Sequence, residues 1–244
     1  MTTADAIRSE SAPLGLLSRL IGVLTSPGET FRNLAQHPRW LDMLLLITLV
    51  VSALQFWFLS TEAGQHALLD QQVRQLESFG MTVGDEQYAQ MQQGIPMARY
   101  FATGAVLVFS PLMTLIIAGV LFAVFNAGLG GNAHFRQVLS VVTHAGVVTL
   151  LQHLFLAPLN YARESMSSAT NLAVFLPMLD EGSLAARFLG IIDLFIIWWL
   201  VVLAIGLGVL YKRRTQPIAA GLLVVYVLIA AIVALVMRAF TGGN

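Results

Sequence analysis

The sequence predicts an all-α integral membrane protein with five transmembrane helices, an N-terminal interfacial amphipathic helix and a helical outer loop. Three observations carry that expectation. Of the 244 residues, 57% are hydrophobic and 11% charged, with mean hydropathy +0.77, too apolar for a soluble domain of this length. Two long apolar runs, Phe188 to Leu210 and Ile218 to Met237, contain one charge between them, Asp193. A helix over the first run covers roughly 34 Å, enough for a ~30 Å hydrocarbon core. Finally, the compact turn Lys212-Arg213-Arg214 joins the runs, so the two helices are antiparallel neighbours and their turn is expected in the cytoplasm.

Taken in order, residues 1–12 read as a flexible polar tail, and 13–39 as a cytoplasmic amphipathic segment. Within Leu14 to Thr25, the leucines, Ile21 and Val23 share one half of the helical wheel, and Gly15, Ser18, Arg19, Gly22 and Thr25 share the other. The expectation is a helix lying on the membrane with Arg19 toward water; packing of its apolar half on the protein is the alternative. Ser26-Pro27-Gly28-Glu29 has the spacing of a capping box and restarts the chain as a second short helix, closed by His37-Pro38.

The five-helix domain is expected over 40–237. Its first span is Leu41 to Leu59. The polar insertion 61–99 places Leu68, Leu69, Val73, Leu76 and Phe79 on one helical face with Asp70, Arg74 and Glu77 opposite, an outer lid made of an amphipathic helix. Gly80 ends that helix, and a weaker one follows over Asp85 to Gln93. The second span is Phe101 to Phe125. A Gly-rich turn leads to the third, Val138 to Leu159, whose Gln137, Ser140, His144, Gln152 and His153 suit a central position. The hairpin of the fourth and fifth spans follows, and 238–244 is a short tail.

With five spans, Arg8, Arg19, Arg32, Arg39, Arg136, Lys212, Arg213 and Arg214 fall on one side and Arg74, Arg99, Arg163, Arg187 and Arg238 on the other. The excess predicts a cytoplasmic N-terminus and an outer C-terminus.

The chemistry-bearing residues converge poorly. The histidines are scattered, there is no HisGluXXHis and no pair of intramembrane carboxylates, so no metal site, cofactor or enzymatic activity is expected. The absence of cysteine excludes disulfides and thiolate sites. Zero net charge gives no reason to expect nucleic acid. Asp193 is the one acid well inside a span. An ionised carboxylate near the bilayer centre costs ~2.5–3.5 kcal/mol on insertion scales, so it requires a partner or water. His153 and Gln55 lie at comparable depth and form with it a candidate polar cluster: a pocket opening outward, or a hydrogen bond that fixes helix register.

The chain resembles the Yip family (Ypt/Rab-interacting membrane proteins), in its prokaryotic branch. The residues that carry the likeness are Leu24-Thr25-Ser26-Pro27-Gly28-Glu29-Thr30-Phe31 with His37-Pro38, Gly130-Gly131 before Phe135-Arg136-Gln137-Val138-Leu139, Trp198-Trp199 with Ala204-Ile205-Gly206-Leu207, and the basic turn before Ala219-Ala220. The resemblance spans roughly 20–237 and implies five spans, a cytoplasmic N-terminus and the bacterial inner membrane. Eukaryotic members are linked to Rab GTPases, but their Asp-Leu-Tyr-Gly-Pro stretch has no counterpart here, which argues against a Rab-type GTPase partner. Two functions remain open: a non-enzymatic scaffold that organises membrane and recruits protein partners or a second copy, and a small transporter or channel using Asp193, His153 and Gln55.

Overall fold

The computed structural model describes residues 12–78, 80–180 and 183–240. Most of both expected tails, and Phe79 of the outer amphipathic face, lie outside those residues. Among the described residues the chain is helical, with one isolated antiparallel bridge, Asn171 to Asp193, and no strand.

Two short helices, α1 (Leu16–Thr25) and α2 (Pro27–Gln36), precede α3 (Leu41–Leu59). Proline at the first position starts α2, where its missing N–H costs nothing; Ser26 makes no side-chain cap bond, so the expected capping box is not formed. Helix α4 (Glu62–Ser78) ends before Gly80, whose φ of 78° reverses the chain. The weak helix and the second span expected after it are one helix, α5 (Asp85–Phe122), continued by a π-helical turn, Ala123–Gly128. At 38 residues α5 is about 57 Å long, so its first turns stand clear of a ~30 Å hydrocarbon layer. There Ile95 packs with Leu68 and Leu69 of α4 and with Phe58 and Leu59 of α3 as a small separate core.

The third apolar run bends at Gly146 into α6 (Phe135–Ala145) and α7 (Val147–Arg163). It is the most enclosed of the long helices: Val138 through Ala145 are all buried. The run Phe188 to Leu210, expected as one span, is two helices, α8 (Leu184–Ile191) and α9 (Leu194–Leu210), parted at Ile192-Asp193. The last helix is α10 (Thr215–Phe240).

Four helical segments, Leu41–Leu59, Asp85–Gly128, Phe135–Arg163 and Thr215–Ala239, are long and apolar enough to cross a membrane; α9 is apolar but shorter. The main core joins Phe31 and Leu34 of α2, Met43 and Val51 of α3, Val141 and Val148 of α6 and α7, and Leu203 and Leu207 of α9. α9 is the hub, packed on α2, α6, α7 and α10. Gly206 permits this: a Cβ there would meet Val141 and come within 3.1 Å of Phe31. Ala204 with Gly208, and Ala230 with Ala234, are buried within the chain. By contrast α5 and α10 leave Val108, Phe109, Ile116, Leu228 and Ile232 exposed. Apolar surface on that scale suits lipid rather than water.

Candidate functional site

The helix order puts α1, α2, the α5–α6 turn and the α9–α10 turn at one end of the bundle, and the α3–α4 and α7–α9 connections at the other. Each end holds one buried polar cluster.

At the N-terminal end, Arg19 of α1 is 1% exposed, contrary to the expectation that it faces water. The reason is its reach. Its Nη1 donates to Asp42 Oδ1 (3.1 Å), to the Arg39 carbonyl (3.3 Å) and to His144 Nε2 (3.1 Å), while Nη2 pairs with Asp42 Oδ2. Asp42 sits in the first turn of α3, where the helix dipole favours a carboxylate. Guanidinium only donates, so His144 Nε2 accepts, and Nδ1 carries the proton given to the Ser140 carbonyl at 2.8 Å. His144 is therefore neutral in this arrangement. Ser140 Oγ also donates to the Arg39 carbonyl, and Gln137 Nε2 to that of Ala35 (2.7 Å), tying α6 to the last turn of α2 and to the chain that follows it. Asn33 receives the Leu14 amide and donates to the Ala12 carbonyl.

Burying the Arg19 and Val23 face turns the opposite edge of α1 outward: Leu17 is 71% and Ile21 56% exposed. The helix is thus docked on the bundle by its cation and presents leucine and isoleucine outside.

At the far end, Asp193 is not inside a helix but at the N-cap of α9. Its Oδ1 accepts from the Phe195 amide (2.8 Å) and Gln152 Nε2 (3.1 Å), and its Oδ2 from Thr170 Oγ1 (2.6 Å) and Ser168 Oγ (2.9 Å). The backbone groups freed by the break are also used. The Asp193 amide donates to Tyr226 Oη and that hydroxyl to the Ile191 carbonyl; Leu172 and Leu194 amides reach the Ile192 and Thr170 carbonyls. Irregular backbone at membrane depth persists only when satisfied in this way.

Of the sequence-derived cluster, then, Asp193 meets Gln152 rather than its neighbour His153. His153 Nδ1 donates to the Thr149 carbonyl of its own helix, and Gln55 is half-buried on α3; no hydrogen bond joins either to Asp193 among the described residues. Between the two ends lie Val51, Val147, Val148, Leu150 and Val202, an apolar layer. The buried hydroxyls of Thr48, Ser52 and Thr143 have no hydrogen-bond partner among the described residues and bridge neither cluster. No group of three metal-ligating side chains occurs among the described residues.

Sequence reasoning missed the Arg19–Asp42–His144 cluster, although all three are ionisable residues inside or beside apolar helices.

The Yip1 domain family matches residues 21–237. The chain is similar to the membrane protein YknW of Bacillus subtilis (strain 168), 25% identical over 223 residues that cover 88% of this chain and 90% of that one. No solved structure matches significantly.

Proposed function

The chain belongs to the Yip1 domain family, and from that premise we propose a non-enzymatic membrane scaffold that recruits partners at the end carrying α1 and α2. One observation carries the reading: α1 is clamped to the bundle through Arg19 while Leu17 and Ile21 stay exposed. A helix held this way dips an apolar edge into the headgroup boundary without leaving the protein, and α1 and α2 together offer a platform beside it.

In this reading the bundle has five spans. α9, at 17 residues about 25 Å long, completes the four longer helices, with α8 and its capped break making up the remaining depth. The N-terminus is cytoplasmic in the bacterial inner membrane, since the basic turn and most arginines share its side. The transporter reading has weaker support, because both oxygens of Asp193 already accept two hydrogen bonds each.

Two measurements test this. A reporter active only outside the cytoplasm is expected to be silent when fused at Thr215 and active after Asn244; the reverse overturns the orientation, and activity at both overturns five spans. For function, L17S/I21S is expected to fold normally yet lose the proteins that co-purify with the wild type from native membrane. An unchanged set of partners overturns the scaffold role of α1.

A further inference from the structure

We propose that the groove between α5 and α10 is a phospholipid site, with an acyl chain along its walls and an anionic headgroup phosphate at Arg213 and Arg214. The proposal rests on the membrane-embedded positions of α5 and α10, not on partner recruitment, so the co-purification result leaves it standing.

The groove measures about 680 Å³, within the range of small-molecule sites. Val120, Val124 and Phe125 form one wall, and Ile218, Leu222 and Val225 the other. Both helices are otherwise largely exposed and apolar, so the groove opens toward lipid. Its mouth differs in chemistry. Arg213 and Arg214 line it, both are exposed, and α10 begins at Thr215, which adds the positive end of a helix dipole. An apolar shaft under a cationic rim complements a lipid tail under a phosphate, and basic sites between transmembrane helices suit such headgroups. A second copy of the chain would bring the same two arginines to the rim and gain repulsion there.

The mouth is also built rather than incidental. Arg213 Nη2 donates to the Leu129 carbonyl (2.6 Å), holding the basic turn against the α5–α6 turn. Tyr211 stacks on Phe125, ring centroids 4.8 Å apart, and donates to Asn126 Oδ1 (2.8 Å), whose amide reaches the Ala133 carbonyl. Burial pushes the Tyr211 phenol pKa up, so it remains a donor at neutral pH. The wall at Val124 and Phe125 is the π-helical turn, a local departure from α-helix that recurs at functional sites. Gly221 lies in the groove, and a Cβ there would meet nothing within 4 Å.

The test is native mass spectrometry of the full chain in detergent with equimolar phosphatidylglycerol and phosphatidylcholine. Wild type is expected to retain phosphatidylglycerol preferentially. R214Q, which spares the Arg213 bond, should lower that preference roughly fivefold, and R213Q/R214Q by tenfold or more. G221F, which fills the groove from open space, should lose both lipids while its thermal unfolding stays that of wild type. No preference in wild type, or retention unchanged in R214Q and G221F, overturns the proposal and leaves only annular lipid.

Discussion

Arg19 at one end of the bundle and Asp193 at the other are both ionisable groups taken out of water, yet they are satisfied by different means. Arg19 draws its partners from distant elements: a carboxylate on α3, an imidazole on α6 and a carbonyl between α2 and α3. Its Nε has no hydrogen-bond partner among the described residues. Asp193 is saturated, three of its donors coming from the connection before it and from its own helix. The first arrangement joins separate pieces of chain and depends on all of them; the second repairs a helix break. A clamp of the first kind can release a segment, whereas losing the second undoes the local fold.

The largest expected effect is at the repaired break. Asp193→Leu strands four donors, two of them hydroxyls at the break, at ~1–3 kcal/mol each where burial is complete, and should lower the unfolding midpoint in detergent far more than Asp193→Asn. Equal midpoints for the two variants would show that the carboxylate is not the organising acceptor. Next is Asp42→Ala, which leaves the Arg19 cation buried without its counter-ion; because Asp42 is 42% exposed and screened by solvent, the loss is about 2 kcal/mol rather than that of a fully buried pair. Because the clamp is modular, the loss should appear first as protease cleavage between α1 and α2, with α3–α10 protected. Arg19→Met with Asp42→Leu should recover most of it; failure to recover would mean the pair is not what holds α1.

Gly206→Leu should cost on the order of 2 kcal/mol by forcing α9 from Phe31 and Val141, read as a lower thermal midpoint at the Arg19 end. Smaller still is Tyr226→Phe, which removes one hydroxyl that both accepts and donates, about 1 kcal/mol; increased amide exchange at Asp193 would register it. The least effect on stability is expected at Leu17, where Leu17→Ser should leave the midpoint unchanged. Spin labels there and at Ile21 should meet oxygen-rich lipid, whereas one at Val23 should not; equal water exposure at Leu17 and Ile21 would remove the membrane contact of α1.

Much of the framework was legible in the residues. Leu41–Leu59 was read to the residue, because apolar composition and flanking polar groups mark both ends. Helix α4 showed its amphipathic period, and the family resemblance came from ordered short motifs. The clusters were harder. His153 and Gln152 are adjacent in sequence and face different neighbours, so depth alone could not choose Asp193's partner. The Leu14–Thr25 wheel separated apolar from polar residues, but it could not tell which half meets protein, since Arg19 becomes buried once a carboxylate waits on another helix.

By itself, the sequence determined an all-helical membrane protein, because hydrocarbon admits only helices and closed barrels, and uninterrupted apolar runs of about 20 residues declare helices. Only the tertiary structure decided that Phe188 to Leu210 breaks at Asp193 and that Arg19 turns inward. Both choices depend on hydrogen-bond partners from elsewhere in the chain, Thr170 and Tyr226 for the one, Asp42 and His144 for the other. Local periodicity cannot encode a partner more than a few residues away; packing supplies it.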